Sequence, residues 1–513
     1  MTRRHHPHHK TWRPAVRTAA AGTLALLLAG CAVGPDFVPP GAQVPHRWAT
    51  HASAGADSRA LDQPADAQWW RLFGDPQLTA LVQRAVASNL DIRAAAARLL
   101  QSRWERRIVS AAGLPSVGAN AGYQRSGASD TGLMSLQGVS SAGVPAAAMA
   151  DGTGTGNAGI PGADASAPFN LYQAGFDASW ELDLWGRNRR AVESAEAMAA
   201  AADEMRHGVI LAVLTETATD YIQLRETQAT IATVNASLAL ARHSLALTQK
   251  RRAEGVATDL EVSEASALTA SIEARLPMLE ERQGRLVNAL SLLVAQPPGA
   301  LAGELDMARP VPPVPAQVPV GVPSELARRR PDIRQAEARL HSATANIGMA
   351  QADFYPQVSL SGSFGLQSLS FASVGSWASR QFAIGPTLSL PIFEGGRLRG
   401  TLKLREAQQQ EAALLYQKTV LNAWHEIDDV LLAYDAQQRR RKSLATTVEH
   451  SQAAYRAALS RYRAGATTFL DVLVVQRALL EAETEFVRSN AEVSLTAIRL
   501  YKALGGGWEE QPA

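Results

Sequence analysis

The feature that most constrains this chain is a long internal repeat. Asp91-Ile92-Arg93 with Ala97-Arg98-Leu99 recurs 241 residues on as Asp332-Ile333-Arg334 with Ala338-Arg339-Leu340. The same offset carries Leu114-Pro115 onto Tyr355-Pro356 and Gly122-Tyr123 onto Ser363-Phe364. Further along, Glu254-Gly255-Val256-Ala257-Thr258-Asp259-Leu260-Glu261-Val262 matches Ala464 to Val472, now at an offset of 210. The shortfall of about 31 residues points to extra material in the first half, and the Gly, Ala and Ser-rich stretch 126–168 fits a surface insertion. Ordered matches on both sides of one insertion indicate a duplicated unit rather than chance.

Each half reads as helix, strand, strand, long helix, turn, helix. The strands alternate with period two. Tyr172, Ala174, Phe176, Ala178, Trp180, Leu182 and Leu184 alternate with Gln173, Gly175, Asp177, Ser179, Glu181 and Asp183. Val358, Leu360, Gly362, Phe364 and Leu366 form a second apolar row, and Phe382, Ile384, Pro386, Leu388, Leu390 and Ile392 a third. Segments of roughly ten residues with one apolar and one polar face suit a transmembrane barrel, lipid outside and water inside, although an ordinary amphipathic sheet shares the pattern.

Between Arg187 and Glu254 there is no proline, a span of about 60 residues or about 90 Å of helix. Apolar residues recur near a 3.5 spacing at Ile210, Leu214, Tyr221, Leu224, Ile231, Leu238 and Leu245, and again at Leu414, Leu421, Trp424, Ile427, Leu431 and Tyr434. The interspersed charges exclude a membrane-spanning helix. Gly255 and Gly465 are placed to end the long helices. Thr258 with Glu261, and Thr468 with Asp471, fit capping boxes for the helices that follow.

The first residues read as a secretory leader. Arg3, Arg4, Lys10, Arg13 and Arg17 precede an apolar run from Thr18 to Leu28, too short to span a bilayer. His5, His6, His8 and His9 belong to this cationic leader rather than to a metal site. Leu28-Ala29-Gly30-Cys31 resembles a bacterial lipobox, which implies cleavage before Cys31 and lipidation of its thiol. Ala32 in the next position leans toward the outer membrane. The expected organisation is a signal peptide at 1–30, an anchor segment at 31–70 and a first repeat at 71–300. A Pro-rich linker at 301–323, a second repeat at 324–505 and a tail at 506–513 complete it.

A net charge of +2 and the lack of any basic stripe interleaved with aromatics argue against a nucleic-acid partner. No Ser-His-Asp ordering, paired histidines at metal spacing or phosphate-cradling glycine loop sits in a credible context, so no enzyme activity, cofactor or metal is expected. The two halves supply four strands, and membrane barrels start at eight, so the barrel must be shared between chains. Three copies give twelve strands and a useful pore; counting alone also admits two or four. The rival reading is a lipid-anchored coiled-coil scaffold without a pore, which leaves the alternating hairpins unexplained. A lipoprotein hydrolase fares worse for want of a site.

Several segments resemble the TolC-like outer-membrane efflux lipoproteins. They are Cys31-Ala32-Val33-Gly34-Pro35-Asp36, Arg330-Pro331-Asp332-Ile333-Arg334, Ala352-Asp353-Phe354-Tyr355-Pro356, Gly465 through Asp471-Val472-Leu473, and Tyr501 through Trp508. They run in family order along nearly the whole mature chain. The resemblance implies a homotrimeric twelve-stranded barrel on a periplasmic α-helical barrel, lipid-anchored in the outer membrane. It also implies docking to a periplasmic adaptor and an inner-membrane transporter that supplies the energy. Drugs, toxic small molecules or metal ions are the implied cargo. For the periplasmic gate it implies Asp471 as an acidic ring and Tyr462 with Glu261 as a latch pair. Thr467 occupies a position that can be Arg, and Val474 one that is often a second Asp.

Overall fold

The computed structural model describes residues 32–41, 59–61, 67–127, 168–315, 317–319 and 329–508. Cys31, the leader and most of the Gly-rich insertion lie outside the described residues. Two compact units are formed, one from residues within 1–35, 107–192 and 346–403, the other from 36–106, 193–345 and 404–513.

The duplication is visible in the elements. Helices α1 (Pro76–Ser88) and α2 (Leu90–Ala111) precede strands β2 (Ser116–Ser126) and β3 (Phe169–Leu182) and the long helix α3 (Arg187–Ala253). In the second half α7 (Pro331–Ala352) precedes β5 (Gln357–Ser368), β6 (Arg380–Ser389) and α8 (Arg397–Arg463). The corresponding helices match in length: α2 and α7 have 22 residues, α3 and α8 have 67. Sixty-seven residues extend about 100 Å. Among the described residues no helix is long and apolar enough to cross a membrane.

The halves differ after the long helices. In the second, α9 (Phe469–Ala503) runs unbroken. In the first, α4 (Asp259–Glu273) stops and α5 (Leu276–Leu293) begins anew. Pro277 accounts for the break: it has no N–H for the Glu273 carbonyl, and its ring crowds that turn. The residue 210 positions on is Val487, which continues the helix. A four-residue helix α6 (Ala302–Leu305) follows. Strand β1 (Arg59–Leu61) pairs parallel with β4 (Gln317–Pro319), three residues each; neither was expected from the sequence.

In the first unit β2, β3, β5 and β6 form one antiparallel sheet in that order. Ala119 pairs with Phe176, Phe176 with Phe364 and Phe364 with Phe382, which places one apolar row across all four strands. Because side chains alternate, Gly118, Asp177, Ser363 and Ala383 make the next row on the opposite face.

The second unit is built on helix packing. Asp75 caps α1 by accepting from the backbone N–H groups of Gln77 and Leu78 at 2.8 and 3.1 Å, and Pro76 fills the first helical position. One core gathers Trp69, Phe73, Leu78, Leu214, Ile222, Leu290 and Tyr501, with Trp69 stacked on Tyr501 at 5.2 Å. Arg225 is fully buried inside it. Its guanidinium donates to Gln77, to Gln228 and to the Met307 carbonyl at 2.9 Å, and lies over the Tyr221 ring. The Arg330 guanidinium binds Asp332 and Glu426, each at 2.8 Å, and the Ala503 carbonyl at 2.6 Å, capping α9 from the start of α7. A second core joins Leu238, Leu268, Ile272, Tyr462, Phe469 and Leu480.

The predicted seam of α3 is borne out at Ile210, Leu214, Tyr221, Leu224 and Leu238. That of α8 needs correction at its start. Leu414 and Leu421 are 58% and 50% exposed, while Tyr416, Val420, Ala423, Ile427, Leu431 and Tyr434 are buried. Steps of three and four residues from Ile427 back reach Ala423, Val420 and Tyr416, a face that excludes Leu414 and Leu421.

Candidate functional site

The sheet is the first part of the site. One face carries Val117, Phe176, Phe364, Phe382, Ile384 and Leu388, all exposed, with Phe382 at 73% and Ile384 at 77%. The other carries Asn120, Gln173, Asp177, Ser361, Ser363 and Gln381. The Asn120 amide donates to the Asp177 carboxylate on this polar face. Among the described residues β2 and β6 each have only one neighbour, so both sheet edges are open.

Aromatic side chains cluster at both ends of the apolar face. Near the strand ends that adjoin helices, Trp180 donates to the Gly113 carbonyl at 2.9 Å and Trp185 to that of Pro356 at 2.7 Å, and Trp185 stacks on Tyr355. At the opposite end Tyr123 packs on Tyr172 at 4.9 Å, and Tyr172 meets Phe371 edge-on.

The segment after Cys31 is fixed beside the first of these clusters. The Val33 N–H donates to the Trp185 carbonyl at 3.0 Å. Arg190, buried, donates to the carbonyls of Val33 and Gly34, both at 3.3 Å. Gly34 has φ +101°, and a Cβ on it would collide with the Gly348 backbone; a Cβ on Gly348 would in turn lie 2.9 Å from the Arg190 side chain.

The helix-turn-helix ends are the second part. Gly255 and Gly465 hold φ of +77° and +74°, open to glycine without strain. Val256 N–H donates to the Arg251 carbonyl and Gly255 N–H to that of Arg252; Ala466 to Arg461 and Gly465 to Tyr462 repeat the pattern. These are paired Schellman motifs. Both expected capping boxes form. Glu261 accepts from Thr258 N–H at 2.8 Å and its own N–H donates to the Thr258 hydroxyl at 3.3 Å. Asp471 accepts from Thr468 N–H at 3.2 Å and the Thr468 hydroxyl at 2.9 Å. Thr467 adds a third donor through its hydroxyl. Those hydroxyls, Thr467 first and then Thr468 with its N–H, hold the exposed Asp471 carboxyl below its usual value.

Tyr462 is buried against Phe469. Burial pushes its phenol up, and the nearby Glu261 carboxylate adds to the shift. Among the described residues no hydrogen bond links Tyr462 to Glu261, and the Tyr462 hydroxyl makes none of standard geometry. The tie that exists runs to Arg251, which sequence reasoning missed. Its guanidinium donates to the Tyr462 carbonyl at 2.7 Å and sits 4.5 Å from the Tyr462 ring centroid. Nothing in the sequence marks this tie, although Arg461, 210 residues on, repeats the arginine at the same helix-end position.

A two-faced antiparallel sheet combined with charged 67-residue helices is the build of an outer-membrane channel subunit with a helical extension. The outer membrane efflux protein family model matches residues 81–296 and 322–506. The pyoverdine export outer membrane protein OpmQ of Pseudomonas aeruginosa is 34% identical over 490 residues, covering 94% of this chain and 95% of the relative. The outer membrane protein OprJ of the same organism is 31% identical, covering 96% and 98%. The solved structure of the outer-membrane channel OprN superposes with a TM-score of 0.82 at 32% identity, covering 94% of this chain and all of that one. This chain belongs to the outer membrane efflux protein family and is an outer-membrane efflux channel component.

Proposed function

We propose that three copies of this chain close one twelve-stranded barrel and form the passive exit duct of a tripartite efflux system. The observation that carries this is the sheet with both edges, β2 and β6, open and one face apolar and exposed. Unpaired strand edges are not stable in lipid, so each must pair with another copy. Four strands per copy make twelve in three. Tyr172 and Trp180 lie eight residues apart on β3, about 26 Å along the strand. At a tilt of about 40° that becomes about 20 Å of depth, close to the apolar band of such barrels. Exposed leucines on α8, among them Leu404, Leu414, Leu421 and Leu432, offer helix faces for the neighbouring copies.

The remaining parts of the reading follow this frame. The signal at 1–30 is removed and Cys31 is lipidated; Val33, two residues on, is bonded to Trp185 near the strand ends that adjoin the helices, which suits an anchor on the periplasmic side of the outer membrane. The repeats at 71–300 and 324–505 are duplicated halves joined by the linker at 301–323, and each half contributes to both compact units. The helix-turn-helix ends form the periplasmic gate, where Asp471, Tyr462, Glu261 and Thr467 act with Arg251. Asp471 combines the helix cap with a ring of carboxylates on the axis. A periplasmic adaptor docks to the helices, and an inner-membrane transporter supplies drugs, toxic small molecules or metal ions. Pyoverdine export by OpmQ is transport of the same kind.

Conductance in a planar bilayer tests the duct against a pore-free scaffold. The purified protein should insert and give discrete single-channel steps. A well-folded protein that binds bilayers without conducting, even when the gate is loosened by Arg251→Ala, contradicts the duct.

A further inference from the structure

The apolar face of the sheet carries two cations that a lipid-facing surface has no reason to keep. By register Arg125 on β2 shares a face with Tyr123, Val117 and Phe176, and Arg380 on β6 shares it with Phe364, Phe382 and Ile384. Both are exposed, and neither has an acidic partner among the described residues. The carboxylates of the sheet, Asp177 and Glu181, lie on the opposite, polar face. Charge and hydropathy are therefore segregated: acids face one side, arginines the other.

Position along the strands resolves the conflict. An arginine on the lipid face costs about 2–4 kcal/mol at the bilayer midplane and about 0–1 near an interface. Arg125 is one residue from the end of β2, and Arg380 opens β6, both at the end of the sheet away from the helices. Arg125 pairs with Asn170, two residues beyond the Tyr123–Tyr172 pair, and Arg380 pairs with Leu366, two residues before Ser368, the partner of Tyr172. Arg380 is also preorganised. Its Nη1 donates to the Trp377 carbonyl at 2.8 Å, and its guanidinium covers the exposed Trp377 indole at 4.5 Å. That arrangement presents the rest of the fork at the level where lipid headgroups begin, with an aromatic plane for the acyl boundary below it.

We infer that this outer end of the apolar face binds the phosphate groups of a phosphorylated glycolipid in the outer leaflet, through Arg125 and Arg380. The inference rests on the barrel reading above. In a closed ring β2 of one copy adjoins β6 of the next, so the two arginines flank each seam and make three equivalent sites per trimer. Guanidinium pairs with phosphate oxygens bidentately, which favours a phosphomonoester over a dispersed anionic surface.

Native mass spectrometry of the full-length trimer in mild detergent tests this with three probes: bisphosphorylated lipid A, the same glycolipid after phosphatase treatment, and phosphatidylglycerol. The wild-type trimer should retain up to three lipid A molecules. Loss of each arginine should weaken retention about tenfold, as expected for one charge-assisted bond, so the Arg125→Ala, Arg380→Ala pair is affected most. Dephosphorylated glycolipid should bind the wild type no better than lipid A binds the double variant. Equal retention by wild type and double variant overturns the inference. So does equal retention of phosphatidylglycerol, which would reduce the arginines to general anionic attraction. Should the double variant fail to assemble, Arg380→Gln alone must still weaken lipid A retention. Wild-type protein recovered only as a folded monomer refutes the barrel itself; trimeric protein with unaltered lipid binding refutes only this site.

Discussion

Replacing Arg251 by alanine should loosen the gate more than replacing the acid that the sequence pairs with Tyr462. Arg251→Ala removes a charge-assisted hydrogen bond to the Tyr462 carbonyl and the stacking of the guanidinium on that ring. Such a bond contributes about 1.5–3 kcal/mol and a part-exposed cation–π contact about 0.5–1. The Tyr462 carbonyl keeps the Gly465 N–H at 3.0 Å, so it is not orphaned and the lower part of the range applies. A loss of about 2 kcal/mol per copy, if the tie is released on opening, raises the opening equilibrium about thirtyfold for each copy. Single-channel recording of resting trimers is the assay. Arg251→Ala should show frequent openings, Arg251→Lys an intermediate leak, and Glu261→Gln little change, because Glu261 is engaged with Thr258. A resting Arg251→Ala trimer as tight as wild type, beside a leaky Glu261→Gln trimer, would refute the reasoning.

The other expectations are narrower. Asp471→Asn should weaken cation preference in bilayer recordings while the trimer persists; unchanged selectivity would leave Asp471 as a helix cap alone. Because its folded pKa lies below the ordinary value, its stabilising effect is complete above about pH 4 and is lost as pH falls through the lowered value. Hydrogen-exchange protection in the first turn of α9, corrected for the intrinsic pH dependence of exchange, should therefore fall only in that acid range. Arg225→Met removes the donor to the part-buried Met307 carbonyl and Gln77 side chain, so thermal denaturation should show a loss of about 1–3 kcal/mol. Cys31→Ser should abolish lipid labelling and cleavage at that site, with trimers still recovered from the membrane fraction; labelling that persists would place the anchor elsewhere.

Much of this architecture is legible in the sequence because its determinants are local. Period-two rows gave β3, β5 and β6, although the third row runs past the strand's end at Ser389 to Leu390 and Ile392, and the proline-free stretch gave α3 nearly to the residue. Gly255 and Gly465 with their Thr-x-x-acid followers announced both helix ends, since a left-handed C′ residue and a capping box are read from neighbours in the chain. What escaped depends on distant partners or on single residues. Arg251 meets Tyr462 across 211 residues, and nothing local marks the contact. The three-residue β1–β4 pair is too short for a period, and the stop at Glu273 hangs on Pro277 alone. Leu414 and Leu421 fit a 3.5 spacing as well as their buried neighbours do, so spacing could not choose which face turns inward. The Arg190 cradle for Val33 and Gly34 needs Gly348 to make room, a condition visible only in three dimensions.

The central claim is that the open edges β2 and β6 are closed by other copies of the same chain. Its most direct test is the protein mass of the purified particle in mild detergent, by light scattering with the detergent contribution subtracted. The account predicts three chains and no stable lesser form. A monodisperse, folded monomer would contradict it, because a lone four-stranded sheet leaves two edges of backbone N–H and C=O groups unpaired in lipid.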